Sequence, residues 1–170
     1  MADFSTVPQP CRNFGMGTIG QILQRNAAWW PERDAFVLGE QRLSYGALYD
    51  RGSRLASALE NGGLERQERI AMLSTNSLEY FEFFTAAEIA GFIATPVSFR
   101  AAPPEIEHHL TDSGTAVLFF EQIYSATVAS LRDRLPNVIR YICIGGPTPE
   151  WAEDYESVLV TGDPAGPVNR

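Results

Sequence analysis

Apolar positions change period several times along this chain, and each change marks an element. After the cap-forming Thr18, Ile19, Ile22 and Leu23 fall on one face at helical spacing as far as Trp29, and Pro31 stops the run, which predicts a first helix. The apolar stretch Ala35 to Gly39 reads as a strand, Glu40-Gln41 as a turn, and Arg42-Leu43 as a short return strand. Ser44 then caps a helix whose Tyr45, Leu48, Leu55, Ala56 and Leu59 recur at helical spacing until Gly62-Gly63.

From Arg69 the alternation becomes regular. Arg69 to Leu73 reads as a strand, Ser77 as a cap, and residues 78–90 as a helix in which Glu79, Glu82, Thr85 and Glu88 are the polar positions besides a tyrosine hydroxyl. A helix so apolar must be largely buried. Gly91 closes it and Phe92 to Val97 returns as a strand; Pro103-Pro104 opens a helix with Ile106, His109 and Leu110 on one side, ended by Ser113-Gly114. Ala116 to Phe120 is an apolar strand, residues 122–134 a helix, Val138 to Ile144 a strand, and Trp151 to Val158 a short helix. Strands and helices alternating at these lengths predict an α/β fold: a parallel sheet covered by helices.

Composition narrows the picture. A chain of 170 residues that is 45% hydrophobic can bury one sizeable core. Its 13 basic and 21 acidic side chains leave a net charge of −8, which speaks against a surface that tracks nucleic-acid phosphates but not against a nucleotide held by amides and one or two cations. Cys11 and Cys143 are far apart and form no metal-binding or disulfide spacing, so a reducing cytoplasm is expected. Residues 1–17, with two prolines and no signal-like apolar core, are expected to form a mobile arm. Residues 18–160 are expected to form the folded α/β unit, and 161–170, TGDPAGPVNR, have the make-up of a linker. No apolar run approaches the roughly 20 residues of a membrane span.

Leu43-Ser44-Tyr45-Gly46-Ala47-Leu48, then Asn76-Ser77 with Glu79-Tyr80, the run Ala90-Gly91-Phe92-Ile93-Ala94-Thr95-Pro96-Val97, Glu105-Ile106 and Asp112-Ser113-Gly114 occur in an order and spacing that resemble the N-terminal part of the adenylate-forming acyl-CoA synthetases. The likeness spans about residues 18 to 145, with Gln67-Glu68 and Ser98 departing from the family's usual Gly-Asp and Asn. It implies a two-step ligation in which a carboxylic acid and MgATP give an acyl-adenylate and pyrophosphate, and the thiol of coenzyme A then displaces AMP. It also implies that ATP, Mg and CoA serve the complete enzyme. The family's Ser/Thr/Gly-rich phosphate loop, its Mg-holding glutamate and its C-terminal lysine do not occur in these residues, so this chain alone is expected to bind none of those cofactors and to be catalytically incomplete. By the same resemblance, Arg100 is the one candidate ligand contact, to a phosphate of CoA, and no catalytic or metal-binding residue is expected. The expected partners are the remainder of a synthetase, its carboxylic acid substrate and, through an apolar face left open, a second copy of this chain. A stand-alone, non-catalytic α/β binding or interaction domain of the same descent is the second reading.

Other motifs have plainer explanations. Gly15 to Gly20 satisfies the dinucleotide pattern GxGxxG, yet the proline-rich stretch before it offers no strand to scaffold a phosphate turn. Glu105, His109 and Asp112 share a helix face, while His108 points about 100° away from His109; a histidine on the apolar side near two solvated carboxylates is expected rather than a metal site. Ser44, Ser77 and Ser113 read as caps and turns, and Trp29, Trp30 and Phe81 to Phe84 as core or interdomain contacts.

Overall fold

The computed structural model describes residues 17–167, so the expected arm up to residue 16, with Cys11 and the first half of the glycine pattern, lies outside the described residues. The chain runs α1 (Ile19–Trp29), β1 (Asp34–Leu38), β2 (Gln41–Ser44), α2 (Tyr45–Asn61), β3 (Arg69–Leu73), α3 (Leu78–Ala90), β4 (Ile93–Val97), α4 (Pro103–Ser113), β5 (Val117–Glu121), α5 (Ser125–Leu131), β6 (Arg140–Ile144), β7 (Glu153–Asp154) and α6 (Tyr155–Val160). Strands β3 to β7 form the expected parallel sheet in the order β4-β3-β5-β6-β7, while β1 and β2 pair antiparallel as a separate hairpin.

Because successive strand residues face opposite ways, the apolar strands supply two cores at once. Ile70, Met72, Val117, Phe119 and Ile142 meet Leu55 and Leu59 of α2, Phe83 of α3 and Tyr155 of α6. Ala71, Leu73, Leu118, Phe120 and Cys143 meet Ile106 and Leu110 of α4 and Val128 and Leu131 of α5. The sheet is thus covered on both faces, with α2, α3 and α6 on one and α4 and α5 on the other.

Helix α3 is buried as expected, but two of its polar residues are turned inward along with Phe83 and its alanines. Glu82 and Thr85 are buried against α2, whereas Phe84 remains 37% exposed. The reason is the facing surface: Gly52 lies directly on the Thr85 side chain, and Ser53, Ala56 and Ser57 around it are small and buried. Glu82 accepts from Arg51 Nε at 2.7 Å and from the Tyr155 hydroxyl at 2.7 Å, and Arg51 reaches on to Glu156. One carboxylate therefore ties α2, α3 and α6 together.

Three expectations are corrected. Residues 122–134 are not one helix: 3-10 turns at Gln122–Tyr124 and Arg132–Arg134 flank the seven residues of α5. The expected helix from Trp151 begins only at Tyr155, because Glu153 and Asp154 first pair with Ile142 and Cys143 as β7. On α1, Ile19 and Ile22 are 56% and 41% exposed, and the buried contact is made by Gly20 against the backbone of Glu88 in α3. Beyond α6, Gly162 packs on the backbone of Arg54, and the Asp163 amide donates to Ser57 Oγ at 3.2 Å, so the segment at 161–167 follows α2.

Candidate functional site at the carboxyl ends of the strands

The chain leaves β3 for α3 on one face, but leaves its neighbours β4 and β5 for α4 and α5 on the other. Divergent connections of this kind open a crevice at the carboxyl end of the strand between them, the place where open α/β sheets hold ligands. The β3 loop here is Ser74 to Ser77, the β5 end is Glu121, and the β4 loop carries Ser98, Phe99 and Arg100.

Glu121 organises this edge. Its Oε1 accepts from Ser74 Oγ at 2.8 Å, Thr75 Oγ1 at 2.7 Å and the Thr75 amide at 3.2 Å, clasping two adjacent strand ends. Ser77 Oγ then accepts from the Tyr80 amide as the cap of α3, which fixes the other side of the turn. No local pattern announces the clasp, because its partners lie 46 and 47 residues apart; a lone acid ending an apolar run is the faint signal it leaves.

Arg100 is exposed at the carboxyl end of β4, its guanidinium 5.2 Å from the centre of the Phe99 ring. Phe99 is itself 45% exposed. A groove of about 330 Å3 lined by Val97, Ser98, Arg100, Ala101, Glu105 and His109 opens there. It shares Glu105 and His109 with a second stretch of about 630 Å3 that runs past His108 to Asp112, Ser113 and Thr95. The structure therefore brings Arg100 and His109 to one groove. His109 is not on an apolar side as expected; it is exposed, because only Ile106 and Leu110 of α4 turn to the sheet. Glu105, His109 and Asp112 line the groove without forming a metal centre, and among the described residues no cluster of three His, Cys, Asp or Glu could hold a metal ion.

The remaining candidates are structural. Gly20 is interior to α1, where it allows the close approach to α3, so the second half of the glycine pattern is a packing feature. Ser44 Oγ accepts from the Ala47 amide as the cap of α2. Ser113 hydrogen-bonds to Leu110 and Thr115. Cys143 is buried, and burial pushes its thiol above the ordinary range. Phe83 is core, Phe81 stacks on Phe36 of the hairpin at 3.5 Å, and Trp29 and Trp30 make an edge contact with each other at 5.6 Å.

Against known proteins, the family model described as "AMP-binding enzyme" matches residues 23–167. The chain belongs to the AMP-binding enzyme family. Curated members of the family that it resembles include a feruloyl-CoA synthase from Amycolatopsis, 36% identical over 71% of this chain and 24% of that protein. Another is a fatty acid–[acyl-carrier-protein] ligase from Streptomyces coeruleorubidus, 30% identical over 81% of this chain and 26% of that protein. A putative long-chain-fatty-acid CoA ligase from Rhodopseudomonas palustris superposes with a TM-score of 0.79 at 30% identity, over 84% of this chain and 36% of that structure. The N-terminal domain of FACL13 from Mycobacterium tuberculosis superposes with a TM-score of 0.79 at 26% identity, over 90% of this chain and 38% of that one. The chain thus spans about a quarter of the length of these curated AMP-binding enzymes, 26% and 24%, and corresponds to the N-terminal part of the acyl-CoA ligases. No helix among its described residues is long and apolar enough to cross a membrane.

Proposed function

We propose that these residues are the N-terminal part of an ATP-dependent carboxylic acid–CoA ligase, which activates its acid as an acyl-adenylate and passes the acyl group to the thiol of CoA. The observation that carries this reading is the match over residues 23–167. The likeness to acyl-CoA ligase structures over most of the chain supports it. In this reading the part described here contributes scaffold and one ligand contact. Arg100, exposed at the carboxyl end of β4, meets a phosphate of CoA; a guanidinium presents paired N–H donors that suit phosphate oxygens. ATP and Mg are served elsewhere, since the 170 residues include neither a Ser/Thr/Gly-rich phosphate loop nor the family's lysine.

Acid-dependent exchange of labelled pyrophosphate into ATP tests the reading. Assayed with a panel of fatty and aryl acids, the 170-residue chain is expected to show no exchange, and a version continued by a phosphate loop and C-terminal domain is expected to show it. Exchange catalysed by the 170 residues alone would overturn the assignment of ATP chemistry to other parts of the ligase.

A further inference from the structure

We infer that Asn61 is a site of spontaneous deamidation in the folded chain, and that its main product is an isoaspartate whose carboxylate pairs with Arg140. This goes beyond the ligase reading and does not depend on it. Asn61-Gly62 is the one Asn-Gly pair in the sequence; Asn13, Asn26, Asn76, Asn137 and Asn169 all precede residues that carry a side chain. With no Cβ beside it, a glycine amide nitrogen can approach the asparagine Cγ unhindered. The Gly62 nitrogen bonds to Asn61 Cγ, the side-chain amide leaves as ammonia with the Gly62 proton, and a five-membered succinimide remains. Water then opens the ring at Cγ, giving aspartate, or at the main-chain carbonyl carbon of residue 61, giving isoaspartate.

The fold leaves this pair open to the reaction. Asn61 is the last residue of α2, and Asn61, Gly62 and Gly63 are all exposed. The Gly62 amide donates to the Ala58 carbonyl at 3.1 Å and must be released before it can attack, so the reaction needs only the fraying of one terminal turn. Gly63 follows at φ +93 with open space where a Cβ would stand, which gives room to the additional main-chain carbon of isoaspartate. On the other side, Arg140 Nη1 occupies the space that a Cβ on Gly62 would take. Arg140 Nε and Nη2 each donate to Glu153 at 2.8 Å, while Nη1 is buried without a hydrogen-bond partner. Ring opening at the main-chain carbonyl creates its carboxylate next to Gly62, beside this orphaned donor, and a charge-assisted hydrogen bond then satisfies both. Either product gives up the donation from Asn61 Nδ2 to Ser57 Oγ at 3.4 Å and sets an anion against the helix dipole; isoaspartate has Arg140 beside it to offset this.

Trypsin frees residues 55–66 as one peptide in which Asn61 is the only asparagine. When the 170-residue chain is aged at neutral pH and body temperature, mass spectrometry is expected to show that peptide gaining one mass unit. The rate is expected to lie within about tenfold of the rate in guanidinium chloride, because a helix end frays at little cost in free energy. Asn61→Gln is expected to lose the gain. A protein isoaspartate methyltransferase supplied with labelled S-adenosylmethionine is expected to label the aged peptide. The ratio of isoaspartate to aspartate is expected to be higher after ageing folded than after ageing denatured, an excess that Arg140→Gln loses. A folded-state rate more than tenfold below the denatured one overturns the site, and an equal ratio in the two states of the parent overturns the pairing with Arg140.

Discussion

Glu82 shows how one residue sets local geometry. Its side chain is 3% exposed, and it is satisfied because Arg51 and Tyr155 both donate to it. Burial works against the charge on Arg51, but the hydrogen bonds to Glu156 and Glu82 outweigh it and raise its affinity for the proton. The Tyr155 hydroxyl is pushed well above its ordinary value of 10.0, first by burial and then by the Glu82 carboxylate. Unfolded chains release this proton near 10 whereas the folded chain holds it, so the stabilising share is complete at neutral pH and is lost as pH climbs past that value. Urea melts at successive alkaline pH values are expected to show the parent losing stability above pH 10, and Tyr155→Phe losing less. An identical alkaline slope in the two proteins would refute the assignment.

At the scale of elements, the contact between α2 and α3 decides the most. Gly52 lets the helices approach until the Thr85 side chain fills the space a Cβ would take. Gly52→Ala gains about 1 kcal/mol in helix propensity but overpacks the interface at a cost of roughly 1–3 kcal/mol. A net loss of about 1 kcal/mol is therefore expected in the urea midpoint, recovered in part by Thr85→Ser, which removes the crowded methyl; a gain in stability would contradict the packing. Much at this scale was legible in the residues. The runs Arg69 to Leu73 and Ala116 to Phe120 had the unbroken apolar character of doubly covered strands, and Thr18, Ser44 and Ser77 marked the helix starts. What was hidden depended on partners distant in sequence. Glu153 and Asp154 become a strand only because β6 lies beside them, the inward turn of Glu82 depends on the small residues of α2, and the Glu121 clasp exists only once β3 and β5 are neighbours.

For the molecule as a whole, the outer layer is incomplete. The hairpin β1–β2 leaves Val37 and Leu38 52% and 37% exposed, and Ile19, Ile22 and Phe84 are open as well. Two strands alone are a marginal sheet, and apolar surface of this kind favours association. Light scattering across a wide concentration range is expected to show the 170-residue chain self-associating, and Val37→Lys to reduce it; a strictly monomeric profile would refute this. The β4 edge is better protected. Ile93 donates to the Glu68 carbonyl, so alternation turns Ala94 and Pro96 outward, and Pro96 has no N–H to offer an incoming strand.

Strand order also governs how the chain can be made. β4, next after β3 in sequence, pairs with one flank of it, and the other flank is taken only later by β5, which ends at Glu121. A nascent chain that has left the ribosome only as far as β4 has one flank of β3 bare, with Ile70 and Met72 short of the cover that Val117 and Phe119 later give them. Closure of the sheet on that flank therefore waits for β5, and the Glu121 contacts to Ser74 and Thr75 can form only once it is in place.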